Sequence, residues 1–133
     1  MKYVLLLRYD IRHPLAGNTA FHFAETLIQM NHTLLGIFLM HESVHIANAL
    51  AMPAQDETDY QKGWADLAEK HPFEISVCQT AGIRRGVIDQ IQAQQEGMAH
   101  RENMHASYQL AGLGQFVALC SQADRVITFG GQP

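Results

Sequence analysis

Short apolar segments alternate with amphipathic ones along most of the chain. The runs at 2–9 and 34–40 are apolar on both faces, a pattern typical of buried strands in a parallel sheet. Residues 73–78 alternate between apolar and polar and predict a third strand; 125–129 predict a last short strand, followed by a tail at 130–133. Strands that alternate with helices indicate a three-layer α/β/α fold with a mostly parallel sheet of four to five strands.

Three residues are positioned to cap the helices that connect these strands. Thr19 precedes an apolar stripe at helical spacing and is expected to begin the first helix. Ser43 is expected to cap a short helix that runs to about Leu50. Asp59 is expected to open a further helix, with Trp64 on its buried side.

The second half of the chain gives weaker signals. Residues 80–85 predict a helical turn, whereas the polar, Gln-rich segment 87–100 gives no clear prediction. Residues 104–123 predict one long helix, although Gly112 and Gly114 disfavour it.

Composition limits the architecture and the partners. A chain of 133 residues with 47% apolar content has room for a single domain spanning 1–133 and is too apolar to be disordered. The net charge of −4 argues against a protein built mainly to bind nucleic acid. The apolar start is interrupted by Arg8, is too short for a membrane helix and has no cleavage site after it. A cytosolic protein, with its two cysteines reduced, is therefore expected.

Ligand sites in parallel α/β sheets lie beyond the carboxyl ends of the strands. The segments that follow the first three predicted strands are 8–13, 41–43 and 78–82. These segments are therefore the places where functional side chains are expected.

Cys78 is the strongest nucleophile candidate in these segments. It falls at the predicted end of a strand and directly before a helical turn, where unpaired backbone N–H groups and the helix dipole favour a thiolate. Arg84 and Arg85 add positive charge nearby. The alternative is that Cys78 is a small buried hydrophobic residue, as Cys120 is expected to be within its apolar helical stretch.

Residues 41–45 match the HExxH motif of zinc proteases. In those enzymes the two histidines share one helix face and the glutamate serves as base. Here the motif begins at a strand end, so His41 and His45 are not expected to share a face, and no third ligand follows at a recognisable spacing. A strand-to-helix junction with a polar rim is the preferred interpretation, and zinc hydrolysis is the weaker alternative.

Five segments, in this order and spacing, point to a known family: 19–24, 43–48, 75–89, 112–114 and 123–126. Through them the chain resembles the DsrE/TusD family of sulfur-relay proteins over essentially its whole length. The combination of a cysteine, the following Arg-Arg-Gly-Val-Ile-Asp and the downstream Gly-Leu-Gly is the most specific part of the match. The resemblance implies a DsrE-like fold.

The resemblance also implies a function. In that family the cysteine that matches Cys78 accepts sulfane sulfur as a persulfide and passes it to the next carrier, so Cys78 is implied as the catalytic residue. TusD-like members serve thiolation of the tRNA wobble uridine, and DsrE-like members serve cytoplasmic sulfur oxidation. Arg84 and Arg85 are candidates for anion stabilisation or partner docking, and His41 and Ser43 are further candidates for binding substrate or partner. No cofactor and no metal are expected.

The implied partners are other proteins of the same pathway. The resemblance implies a hetero-hexamer with DsrF/TusC-like and DsrH/TusB-like subunits, or else a homo-oligomer. A small DsrC/TusE-like acceptor with a reactive C-terminal cysteine would take the sulfur; no direct contact with nucleic acid or membrane is expected. The alternative is a non-catalytic paralogue, an oligomer subunit or small-ligand-binding module in which Cys78 is merely packed.

Overall fold

The computed structural model describes residues 1–131 and contains a sheet of five parallel strands between helices. The strands are β1 (Lys2–Arg8), β2 (Thr33–Leu39), β3 (Glu74–Cys78), β4 (Gln109–Ala111) and β5 (Arg125–Gly130). The helices are α1 (Pro14–Gln29), α2 (Tyr60–Lys70), α3 (Gln79–Arg84), α4 (Gln90–Gln95) and α5 (Leu113–Ser121), with a 3₁₀ helix at His41–Ala47.

The strand order is β4-β3-β2-β1-β5, and each neighbouring pair is parallel. This confirms the α/β fold with a parallel sheet. No helix within the described residues is long and apolar enough to cross a membrane. Of the tail expected at 130–133, Gly130 ends β5, and the last two residues lie outside the described part of the chain.

The two faces of the sheet carry separate cores, because successive strand residues point to opposite sides. On one face, Leu5 and Leu7 of β1 belong to the main core with residues of α1 and α2, among them the fully buried Trp64. On the other face, Phe38 of β2 stacks on Phe116 of α5 at 4.6 Å between ring centroids. Helices therefore cover both faces, as the three-layer prediction requires.

The first helix begins six residues earlier than the sequence predicts. Pro14 occupies the first helical turn, where its fixed φ suits the helix and its missing N–H is not needed. Thr19 is inside the helix, and its hydroxyl donates to the carbonyl of Leu15 at 2.9 Å. The prediction that Thr19 caps the helix is wrong, whereas Asp59 does cap α2 through a bond from the Lys62 N–H.

The long helix predicted for 104–123 is also wrong. The first part of this segment contains the short edge strand β4, which pairs with β3, and only α5 is helical. Gly112 separates them in an extended conformation, and its N–H donates to the side chain of Gln115 at 2.8 Å. The glycine that weakens the helical prediction therefore marks the start of the real helix.

Candidate functional site

The carboxyl ends of β1, β2 and β3 lie at one edge of the sheet, and this edge brings together the three segments predicted from the sequence. Side-chain contacts connect them. Ser43 binds the backbone of Tyr9, and Arg85 reaches across to Glu42. The 3₁₀ helix is thereby fixed to the end of β1 on one side and to α3 on the other.

Cys78 is the last residue of β3 and directly precedes α3. Its side chain belongs to the smaller core with Phe38 and Ala111, next to the partly buried Met40 and Phe116. Only 7% of the residue is exposed. The thiol therefore lies just beneath the surface, at the edge where parallel sheets place their ligands.

The two candidate arginines have different surroundings. Arg85 is partly buried; its Nε donates to Glu42 Oε1 at 2.8 Å and its Nη1 to the carbonyl of Ala81 at 3.3 Å. The hydrogen bond from Arg85 lowers the pKa of Glu42, and the charges of Arg85 and His45 act in the same direction. Arg84 is exposed. Arg85 therefore links the end of α3 to the 3₁₀ helix, whereas the Arg84 side chain is exposed to solvent.

Ser43 has a different local role from the predicted one. The segment is a 3₁₀ helix that begins at His41, and no side-chain hydrogen bond caps it, so the prediction of a Ser43 cap is wrong. The side chain is fully buried; its hydroxyl accepts from the N–H of Tyr9 and donates to the carbonyl of Tyr9, each at 2.9 Å. Its role in binding substrate or partner stays a prediction.

We expect Ser43→Ala to reduce the free energy of unfolding by about 1–3 kcal/mol, because it leaves a buried N–H and a buried carbonyl of Tyr9 without their partner. Urea unfolding measures the change. The matched control is Ser121→Ala, since the Ser121 hydroxyl is exposed and, within residues 1–131, donates only to the carbonyl of Ala118. Equal losses in the two variants would contradict this assignment.

The HExxH segment does not place its histidines on one face. Positions four apart diverge in a 3₁₀ helix, which has three residues per turn. His41 Nε2 lies 3.1 Å from Arg8 Nη2, whereas His45 Nε2 lies 3.4 Å from Glu42 Oε2. No group of three or more metal-binding side chains occurs among residues 1–131.

Cys120 lies outside both cores. It is on α5, none of whose residues is fully buried, and it is half-exposed rather than packed as the sequence predicts. Partial burial raises the pKa of its thiol. The apolar stretch around it instead gives α5 an exposed outer side that includes Leu113 and Val117.

A cleft opens at the same sheet edge, with a volume of about 500 Å³. It is lined by Arg8, Tyr9, Asp10, His13, His41, Glu42, Gly130 and Gly131. The sequence predicts functional residues in 8–13 and 41–43 but gives no role to the two glycines. The signal that could have found them is a pair of glycines directly after a strand, where the backbone can approach a ligand closely.

Comparison with known proteins gives consistent matches. The model of the DsrE/DsrF-like family matches residues 1–129. The DsrE protein of Allochromatium vinosum is 32% identical, covering 98% of this chain and 99% of its own. The sulfurtransferase TusD of Serratia proteamaculans is 38% identical, covering 85% of this chain and 87% of its own. The crystal structure of the YchN protein from E. coli superposes with a TM-score of 0.71 at 16% identity, covering 97% of this chain and 99% of that one, and so shares the fold.

Proposed function

This chain belongs to the DsrE/DsrF-like family, and from that membership we propose that it is a sulfurtransferase subunit that carries sulfane sulfur as a persulfide on Cys78. The observation that supports this most is the position of Cys78. It is the cysteine at the carboxyl edge of the sheet, directly before α3. Relatives named sulfurtransferase TusD, or its homolog, match 85–97% of the chain at 33–38% identity.

The transfer step needs only one thiolate. The Cys78 thiolate attacks the outer sulfur of a donor persulfide, a new S–S bond forms at Cys78, and the donor S–S bond breaks. The donor leaves as a thiolate and takes up a proton from water, so sulfur moves without net oxidation or reduction. In a second transfer of the same kind, an acceptor thiolate attacks the outer sulfur of the Cys78 persulfide. The sulfur moves to the acceptor, and Cys78 leaves as a thiolate.

A resolving thiol within the chain does not fit the geometry. The other cysteine, Cys120, is near the end of α5, where the preceding Leu119 packs against Gly36, which pairs with Glu74 at the start of β3. Cys78 lies at the opposite, carboxyl end of the strands. The sulfur is therefore discharged to a separate acceptor protein rather than to an internal disulfide.

The proposed partners are related subunits and a small acceptor. Exposed apolar side chains on α5 and at β5, namely Leu113, Val117 and Val126, offer an area for contact between subunits. These subunits are DsrF/TusC-like and DsrH/TusB-like chains in a hetero-hexamer, or copies of this chain. The acceptor is DsrC/TusE-like, in tRNA wobble-uridine thiolation or in sulfur oxidation in the cytoplasm.

One observation favours a second candidate function. Cys78 is only 7% exposed and packs in the smaller core, so a donor must gain access before attack is possible. A non-catalytic subunit with a merely packed cysteine has the same surroundings. The two functions differ in whether Cys78 reacts with a sulfur donor while the protein is folded.

We expect the folded chain to gain the mass of one sulfur atom when it is incubated with a persulfide donor, and to lose it on reduction, because a thiolate at Cys78 accepts sulfane sulfur. Intact-mass spectrometry measures both steps. An alkylating reagent should label Cys78 in native protein, and loading with sulfur should block that label. Labelling that occurs only after unfolding, in the isolated chain and in co-expressed assemblies, would instead favour the non-catalytic subunit.

A further inference from the structure

The cleft near Arg8 lies at the carboxyl ends of β1 and β5, which are neighbouring parallel strands. Residues that follow β1, the glycines at the end of β5, and His41 and Glu42 line it. Open α/β sheets bind ligands outside the carboxyl ends of their strands. Cys78 does not line this cleft.

Arg8 dominates the charge of the cleft. Its Nη2 lies 3.1 Å from His41 Nε2, and its guanidinium lies against Gly131, where a Cβ would be 3.8 Å from Nη1. Its Nε is inaccessible to solvent, and among residues 1–131 it has no hydrogen-bond partner and no carboxylate forms an ion pair with Arg8. Partial burial of a cation without a counterion costs free energy, so a bound anion would stabilise Arg8 in this cleft.

The two carboxylates of the cleft are already neutralised by other arginines. Asp10 accepts from Arg12 Nε at 3.0 Å, and this contact holds the pKa of Asp10 well below its usual range. Glu42 accepts from Arg85 at 2.8 Å. Each carboxylate has its own cationic partner, whereas Arg8 has no carboxylate partner in the part of the chain that the structure describes.

The backbone of His41 is strained at this place. Its φ is 52°, in the left-handed region that residues other than glycine rarely occupy. Such strain persists where the surroundings hold it, and it concentrates at ligand-binding positions. Here it places the imidazole beside the Arg8 guanidinium, where the ring nitrogen accepts from Nη2 and holds the guanidinium in the cleft.

We propose that this cleft binds a small tetrahedral oxyanion, held by the Arg8 guanidinium. The planar guanidinium pairs with two oxygens of such an anion at once, and its two Nη atoms supply the donors, since the contact with His41 uses only one N–H of Nη2. His41 is a positioning residue that orients Arg8. The site is separate from the persulfide chemistry at Cys78 and goes beyond the proposed function.

Isothermal titration calorimetry with sulfate, phosphate and thiosulfate, at an ionic strength held constant with chloride, tests this proposal. Saturable binding of at least one of these oxyanions is expected. Arg8→Gln should weaken it by about tenfold or more, since a charge-assisted bidentate contact is lost. Arg101→Gln, which removes one exposed charge outside the cleft, should leave the affinity unchanged. The thiosulfate titration is repeated with Cys78→Ser to exclude heat from sulfur transfer.

A second variant covers the case in which Arg8→Gln fails to fold. His41→Gly should fold at least as well as the unaltered chain, because glycine adopts a φ of 52° without strain, yet it should bind the oxyanion more weakly. Heats equal to those of chloride for all three oxyanions would overturn the proposal. Equal affinity in Arg8→Gln and the unaltered chain would overturn it as well.

Discussion

Replacing Cys78 with serine is expected to abolish sulfur loading while the protein stays folded. A hydroxyl is not a nucleophile for sulfane sulfur at neutral pH, so the S–S bond to the protein cannot form. Serine is close in size to cysteine, and the site is at the rim of the smaller core, so packing changes little. Intact-mass spectrometry after incubation with a persulfide donor measures the loading, and circular dichroism verifies the fold.

Cys120→Ser is the matched control for this experiment. It removes the other thiol of the chain, which lies on α5 and away from the carboxyl edge of the sheet. We expect it to load one sulfur atom as the unaltered protein does. Full loading of Cys78→Ser, together with loss of loading in Cys120→Ser, would assign the carrier cysteine to α5 and contradict the proposed function.

Replacing Trp64 with alanine is expected to cost about 3–5 kcal/mol of the free energy of unfolding, because a large side chain is removed from a closed core. Trp64 is fully buried between the sheet and α1, and its ring packs edge-on against Phe21 at 5.0 Å and Phe73 at 6.5 Å. Urea unfolding followed by far-ultraviolet circular dichroism measures the loss, since the single tryptophan is no longer present as a fluorophore.

Two further variants test whether the cavity, rather than another change, causes the loss of stability in Trp64→Ala. The indole Nε1 of Trp64 has no hydrogen-bond partner among residues 1–131, so Trp64→Phe keeps most of the apolar contact without losing a hydrogen bond. We expect its loss to be clearly smaller than that of Trp64→Ala. Leu15→Ala, at a residue that is 77% exposed, should change stability by less than about 0.5 kcal/mol. Equal losses in the two Trp64 variants would show that the cavity is not the cause.

The long apolar strands could be predicted from the sequence, and the short one could not. β1 and β2 are buried on both faces and lack polar alternation, which is a strong local signal. β4 has only three residues, too few to show a period, and its pairing with β3 depends on a distant segment. The start of α1 is not evident from the sequence, because proline is common in turns as well as in the first turn of a helix.

From the sequence, the site could be predicted only in its location, because that location follows from where the predicted strands end. The segments that contain Cys78, His41 and Arg8 lie at one edge because the strands are parallel, whatever their order. The Ser43 contact with Tyr9 and the contact of Gly131 with Arg8 depend on which strands are neighbours. The local pattern of apolar and polar residues does not show which strands are neighbours. The charged cleft could therefore not be predicted without the strand order.

The pairing of β1 with β5 has a consequence for how the chain folds during synthesis. It joins the first strand to the last, and the bond from the Lys2 N–H to Asp124 spans 122 positions. Contacts of such high sequence separation form late, after the intervening chain has been ordered. On the ribosome, one side of β1 stays unpaired until the final strand has emerged from the exit tunnel. A nascent chain stalled before β5 therefore exposes an apolar strand edge to chaperones or to aggregation.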